Sequence, residues 1–283
     1  MILITGAAGK TGKQLLQRLN ASAVSVRVFV RNHQYGDPLL KLGAQEVVIG
    51  DFLDESALQS AFSGVQSVYH ICPNMSPLEL EIGRKVIWAS QQNGLQHFVY
   101  HSVLHPQVAS MPHHWAKMQV EDLLFQSGLP FTILQPAAYM QNIGGYWQAM
   151  LANGTYSIPY AITARTSMVN LNEVAEVAAK VLLEKGHTYA TYELSGGQAL
   201  SAQDVADIIS RVSKKNIRAE KLDISVWEEN ARKGGMADYA VDTLLKMFAY
   251  YEKFDFIGNC NQLTWLLGRA PTRFEDFAQQ MFA

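Results

Sequence analysis

Met1-Ile2-Leu3-Ile4-Thr5-Gly6-Ala7-Ala8-Gly9-Lys10-Thr11-Gly12 is the stretch on which the fold turns. Residues 2–5 are a short apolar run, the mark of a strand buried on both faces. Residues 10–19 have the amphipathic pattern of a helix. Between them lies a loop with glycines at 6, 9 and 12. A glycine triplet alone is weak evidence, because glycines punctuate many turns. Here a strand precedes it and a helix follows, as a dinucleotide-binding βαβ unit requires. Gly6 permits the tight turn, Gly9 lets backbone amides approach a pyrophosphate, and Gly12 lets the helix pack closely on the sheet. The helix N-terminus adds unpaired N–H groups and a favourable dipole. A dinucleotide is therefore expected on Gly6, Ala8, Gly9, Lys10, Thr11 and Gly12.

Outward from this loop, apolar runs and amphipathic stretches alternate. Strands are predicted at 2–5, 26–30, 46–49, 67–70, 97–101 and 131–135, with helices at 10–19, 54–62, 78–92 and 114–127 and a shorter one at 38–42. That alternation predicts an α/β fold, a doubly wound parallel sheet of Rossmann type with a small C-terminal α+β lobe. Residues 1–136 are expected to form the nucleotide-binding core. Residues 137–283 are expected to form mainly a substrate lobe, with some segments returning to the core. In the second half, helices are predicted at 143–151, 171–183 (capped by Asn170 or Asn172), 226–232, 237–253 and 274–282, with another capped by Ser201. Residues 154–159 read as a turn, and 167–169 and 191–194 as strands. The lobe is expected to close a cleft over the carboxyl edge of the sheet.

The strand ends select the nucleotide. An NAD site usually has Asp or Glu after the second strand, to accept from the ribose hydroxyls. This chain has Val28-Phe29-Val30-Arg31-Asn32 there, with no carboxylate nearby. A guanidinium grips a 2′-phosphate bidentately and stacks on adenine, so Arg31 favours NADP(H). The alternative is a solvent-facing arginine at a strand end. Asp51 and Phe52 follow the third strand, where a carboxylate would take the adenine amino group and a ring would flank the base; Asp51 also suits a helix cap. Cys72 and Pro73 follow the fourth strand and would line the ribose.

With that loop, Arg31, Asp51-Phe52 and Lys117 in place, the chain resembles the NmrA-like family of atypical short-chain dehydrogenases/reductases. The likeness also rests on Tyr100-His101-Ser102 and on Gly128-Leu129-Pro130-Phe131-Thr132-Ile133-Leu134-Gln135-Pro136. The tail Leu263-Thr264-Trp265-Leu266-Leu267-Gly268-Arg269-Ala270-Pro271 is similar to the closing segment of bacterial NAD(P)H:quinone reductases of that family. The resemblance implies a Rossmann domain, a small C-terminal lobe and a preference for NADP(H). It further implies one of two roles: reduction of quinones, dyes and similar electrophiles, or non-catalytic redox sensing through protein partners.

Ordinary short-chain dehydrogenases use a Tyr-x-x-x-Lys pair, in which lysine holds the nicotinamide ribose and lowers the tyrosine pKa. Here Lys117 stands at the lysine place, and His113 stands where tyrosine would be. His113 and Lys117 are one helical turn apart, and Pro112 makes His113 a first-turn residue. His113 either donates a proton, as an imidazole titrating near neutrality, or is a loop histidine with water as the proton source. Ser102, at the fifth strand end, either supports substrate or nicotinamide or serves as a cap. Losing the phenol weakens an epimerase reading, which needs it to oxidise an alcohol reversibly, and leaves quinone reduction open. Pro136, Tyr139 and Asn142 follow the sixth strand, close to the expected nicotinamide. Tyr139, Met140, Tyr146 and Trp147 would line a site for a flat apolar acceptor; the alternative is ordinary packing of the lobe.

A formal net charge of -2 offers no basic field for nucleic acid or anionic lipid. Cys72 and Cys260 show no metal-ligand spacing and suit free thiols in a reducing compartment. No basic leader or apolar run of about 20 residues appears, so no membrane span is expected and the cytoplasm is the expected location. A homodimer is left open. The reading that best joins these features is an NADPH-dependent reductase of quinones or similar electrophilic small molecules. The second is an NADP(H)-sensing regulator that acts through a protein partner.

Overall fold

The apolar run at the amino end forms strand β1 (Ile2–Thr5), and all four of its residues are buried. Helix α1 (Lys10–Asn20) follows and turns Thr11, Gly12, Leu15, Leu16 and Leu19 inward. The same alternation continues through β2 (Val26–Val30), α2 (Gly36–Lys41), β3 (Glu46–Ile49), α3 (Glu55–Phe62), β4 (Ser67–His70), α4 (Glu79–Gln92), β5 (His97–His101), α5 (Pro112–Gln126) and β6 (Phe131–Pro136). The computed structural model describes residues 1–282. The chain divides into two units. One comprises Met1–Gln107, Ala116–Gln135 and Asn172–Tyr192; the other comprises Val108–Trp115, Pro136–Leu171 and the chain from Glu193 onward.

The predicted α/β fold is what forms. Strands β1 to β6 pair in parallel, and Ala190–Leu194 extends the sheet beyond β6, giving the order Ala190–Leu194, β6, β5, β4, β1, β2, β3. β1 thus has β2 on one side and β4 on the other, and connections leave the two neighbours in opposite directions. Sheets of this kind bind ligands at such a switch point, outside the carboxyl ends of the strands. The core of this unit is built from Leu3, Phe29, Phe62, Val68, Phe98 and Ile133, with Val120 and Leu124 of α5 packed in.

The second unit holds short strands and helices around Met140, Ile143, Trp147, Ile158, Ile209 and Phe274. Two predictions are corrected here. The predicted 154–159 turn is a strand, Thr155–Ile158, paired in parallel with Arg218–Lys221; only Gly154, with φ +68°, is turn-like, and it closes the helix Trp147–Asn153. The predicted 143–151 helix begins as a 3-10 turn, Met140–Tyr146, and becomes α-helical only at Trp147. The adjacent Gly144-Gly145 pair is costly inside an α-helix, which accounts for the delay. A further helix, Asn261–Leu267, is absent from the sequence prediction.

The Ser201 cap forms as expected. Its hydroxyl accepts from the Asp204 amide at 3.1 Å, and the Asp204 carboxylate accepts from the Ser201 amide at 2.9 Å. Both orphan donors at the start of Ala202–Ser213 are thereby satisfied. Ser201→Ala is expected to lower stability by about 1 kcal/mol, read as a reduced urea midpoint with unchanged slope. Among the described residues no helix is long and apolar enough to cross a membrane.

Candidate functional site

At the carboxyl end of β1 the loop turns on Gly6, whose φ is +63°. A Cβ there would lie 2.9 Å from both the Cβ and the carbonyl oxygen of Ile71. At Gly12 a Cβ would lie 2.5 Å from the Ala7 Cα and 2.6 Å from the Gly6 carbonyl oxygen. The Gly9 amide donates to Gly6 O at 3.0 Å and tightens the loop. Gly9 is the N-cap of α1; it has no side chain to accept from the first helical amides, and no acidic residue occupies that turn. An anion is the natural partner for such an end. Ala8 is half-buried and Thr11 buried, while Lys10 is exposed at the helix start. Beneath the loop, Thr5 Oγ1 accepts from the Ile71 amide at 2.9 Å and pairs with His70 Nδ1 at 2.9 Å, tying β1 to β4.

Arg31, just past β2, is exposed and makes no hydrogen bond or ion pair with any described residue. Its neighbour Asn32 accepts from the Gln34 amide at 3.0 Å and starts the short turn His33–Tyr35. After β3, Asp51 is exposed and its Oδ1 accepts from the Leu53 amide at 2.9 Å. The cap of α3 is Asp54, which accepts from Ser56 and Ala57 at 2.9 and 3.2 Å, so Asp51 is not the cap. Phe52 departs from expectation. Its ring is 5% exposed and packs edge-on against Phe29 at 5.2 Å and His70 at 5.8 Å. A phenyl ring gains more from that core than from a wet strand end, so it is not placed to flank a base.

The ends of β4 and β5 hold a polar cluster. Lys117, on α5, donates to Glu79 Oε1 at 3.0 Å and to the His101 carbonyl at 3.2 Å, with its Nζ 5.3 Å from the centre of the Tyr100 ring. The Tyr100 hydroxyl donates to the same Glu79 oxygen at 2.8 Å. Burial alone would raise the Glu79 carboxyl, but the Lys117 charge and the hydrogen bonds from Lys117 and Tyr100 hold it below the usual range. Cys72 is buried against this carboxylate, and burial pushes its thiol well up; Pro73 beside it is half-buried. Burial keeps His70 and His101 neutral, each pushed down to about 3. Ser102 faces inward. Its hydroxyl donates to Glu121 Oε1, and Gln135 Nε2 donates to both Glu121 oxygens at 3.0 Å. Burial raises the Glu121 carboxyl.

The structure thus brings Cys72, Lys117 and the backbone beside Ser102 together. The sequence reading missed Glu79, Tyr100 and Glu121. Glu79 looks like an ordinary first-turn acid complementing the helix dipole, and Tyr100 like a strand filler.

In the second unit, His113 lies in the first turn of α5 as predicted, half-buried, with its ring edge-on to His114 at 4.4 Å. Pro136 is buried, Tyr139 half-buried and Asn142 exposed. Tyr146 is 50% exposed. Met140 and Trp147, predicted to line a substrate site, lie in this unit's core at 2% and 8% exposure. Apolar side chains at helical spacing pack inward when an apolar partner is available, and here Ile143, Met150 and Ile158 supply one.

The family model described as the NmrA-like family matches residues 1–278. The chain is 25% identical over 284 residues to an NAD(P)H azoreductase from Xenophilus azovorans, covering 99% of this chain and 97% of that one. It is 26% identical over 286 residues to quinone oxidoreductase 2 from Escherichia coli strain K12, covering 100% and 99%. The solved structure of an NADPH-dependent quinone oxidoreductase from Escherichia coli, in complex with NADPH, superposes with a TM-score of 0.89 at 26% identity, covering 100% of both chains.

Proposed function

The chain belongs to the NmrA-like family, and from that premise we propose that it is an NADPH-dependent reductase of quinones or similar electrophilic small molecules. One observation carries the reading. An uncapped helix N-terminus opens at the switch point of the sheet, with an unpaired arginine at the next strand end where an NAD site would hold a carboxylate. Relatives spanning the whole chain, named as an NAD(P)H azoreductase and a quinone oxidoreductase, support the reaction class.

NADPH, when bound, supplies the hydride. The chain's own residues do the rest. Gly6, Gly9 and Gly12 shape the loop for a pyrophosphate, which the amides of Lys10 and Thr11 and the dipole of α1 would hold. Arg31 takes the 2′-phosphate, Asp51 the adenine edge, and the Lys117 ammonium the nicotinamide ribose. Tyr139, Asn142 and Tyr146 are the second-unit residues assigned to nicotinamide or acceptor. His113 is the candidate acid, with water as the other proton source. Loss of turnover in His113→Asn with intact NADPH binding would assign the proton to His113, and unchanged turnover would assign it to water.

The test is NADPH oxidation with a panel of quinones, with NADH as the comparison cofactor. Charge-assisted hydrogen bonds contribute about 1.5–3 kcal/mol. Arg31→Ala should therefore lower kcat/KM for NADPH roughly 10- to 100-fold and leave NADH nearly unchanged. No turnover with tight NADPH binding retained would sink the reductase and move the reading to an NADP(H) sensor.

A further inference from the structure

The ammonium of Lys117 has three N–H donors. Glu79 Oε1 and the His101 carbonyl take two of them, at 3.0 and 3.2 Å, and His101 is the last residue of β5. The charge therefore sits at the carboxyl end of that strand with one donor left for a ligand. Glu79 is itself fixed from a second direction, by the Tyr100 hydroxyl at 2.8 Å. The side chains of Glu79 and Lys117 are only 5% and 16% exposed. Such a pair is a weak source of stability, because desolvation offsets most of the Coulombic gain and an apolar pair of similar volume serves packing as well. A buried charge pair at a strand's carboxyl end calls for a reason other than packing.

We propose that Glu79 is a positioning residue for Lys117: held from behind by Tyr100, its carboxylate pins the ammonium at the end of β5 and keeps it charged toward the ribose of NADPH. This rests on the cofactor reading above. Glu79 touches neither cofactor nor substrate in this role and acts only through Lys117.

The titratable groups around Lys117 lie on β4, β5 and α5, where His113 stands one turn before it. On β4 and just after it, His70 is held neutral and the Cys72 thiol is pushed up by burial. On β5, His101 is held neutral, and burial and the Glu79 charge push Tyr100 well above its ordinary value. On α5 itself, burial raises Glu121. His70 and His101 are thus already neutral, and burial opposes ionisation of Cys72 and Tyr100. Removing the Glu79 charge leaves a buried ammonium without a counter-ion, and such an ammonium deprotonates at lower pH.

The experiment measures NADPH affinity of the full chain by calorimetry from pH ~6 to ~10, for wild type, Glu79→Gln and Lys117→Met. Gln keeps an acceptor for Tyr100 and Lys117 and loses only the charge. The alkaline fall in affinity should begin at least about one pH unit lower in Glu79→Gln, with near wild-type affinity at pH ~6.5. Lys117→Met should bind weakly at every pH. Equal affinities of wild type and Glu79→Gln across the range, or a loss of the same size at every pH, would overturn the proposal; the second pattern is what a purely structural role gives. Wild-type affinity in Lys117→Met would overturn it as well. If Glu79→Gln folds too poorly to assay, Glu79→Asp withdraws the charge by one methylene and should move the limb in the same sense but less; an unmoved limb there overturns the proposal. Absent quinone turnover with the displaced limb present would sink the reductase and leave the role of Glu79 standing.

Discussion

Lys117→Met is expected to cost the fold about 3–5 kcal/mol near neutral pH, the usual penalty for stripping one partner from a buried ion pair. Methionine fills much of the same volume, so little of that loss is cavity. It comes from Glu79, whose carboxylate would keep the Tyr100 hydroxyl and lose the ammonium 3.0 Å away. The sign with pH follows from the same group. In the wild type Glu79 titrates below its ordinary value, so its contribution is present above the unfolded pKa of about 4.3 and fades as pH falls through the lower folded value. In the variant, burial acts against the charged form with no opposing ammonium, and the carboxyl moves up. The destabilisation should then be largest near neutrality and shrink on acidification, as protonation of Glu79 relieves the buried charge. Urea melts of both proteins at pH ~7.5 and ~5 read this directly, and equal gaps at the two values would sink it. Adding Glu79→Gln to Lys117→Met should recover part of the loss, because the orphaned charge goes with it.

That pair also shows where sequence stops being legible. The parallel strands are readable one at a time, since each is an apolar run bounded by turn residues. The Gly6–Gly12 loop is readable because strand, glycines and helix are contiguous. Glu79 and Tyr100 become partners only when α4 packs over β5, and no local pattern marks either. The strand Thr155–Ile158 is hidden for a similar reason: its partner, Arg218–Lys221, lies far along the chain, and the run between Gly154 and Pro159 is too short to announce itself. Phe52, Met140 and Trp147 illustrate a different limit. Position at a strand end or after it locates the backbone, but whether an aromatic or thioether side chain faces a ligand or a core depends on neighbours such as Phe29 and Ile143. For Arg31 the choice is a different one, between ligand and solvent, because a guanidinium at a strand end has no core to enter.

Gly12→Val should lower stability by about 3 kcal/mol, the upper part of the usual range for overpacking, and weaken NADPH binding at least about tenfold. The two atoms a Cβ would strike, Ala7 Cα and Gly6 O at 2.5 and 2.6 Å, are both backbone, so no rotamer change relieves the contact. Either α1 lifts from the sheet or the loop shifts. Lifting α1 exposes Leu15, Leu16 and Leu19, each fully buried, while shifting the loop disturbs Gly6 at its positive φ. Gly9→Ala separates packing from ligand approach. A Cβ there would meet only the Gly6 oxygen, at 3.3 Å, and the position is exposed. That variant should melt within about 0.5 kcal/mol of wild type yet bind NADPH poorly, since its methyl projects where the pyrophosphate must approach the amides. Calorimetric titration with NADPH alongside thermal melts reads both quantities. A Gly12→Val protein as stable as wild type would remove the close-packing argument for that glycine. Undiminished NADPH affinity in Gly9→Ala would mean that the pyrophosphate does not rest on this loop, and the cofactor assignment would fall with it.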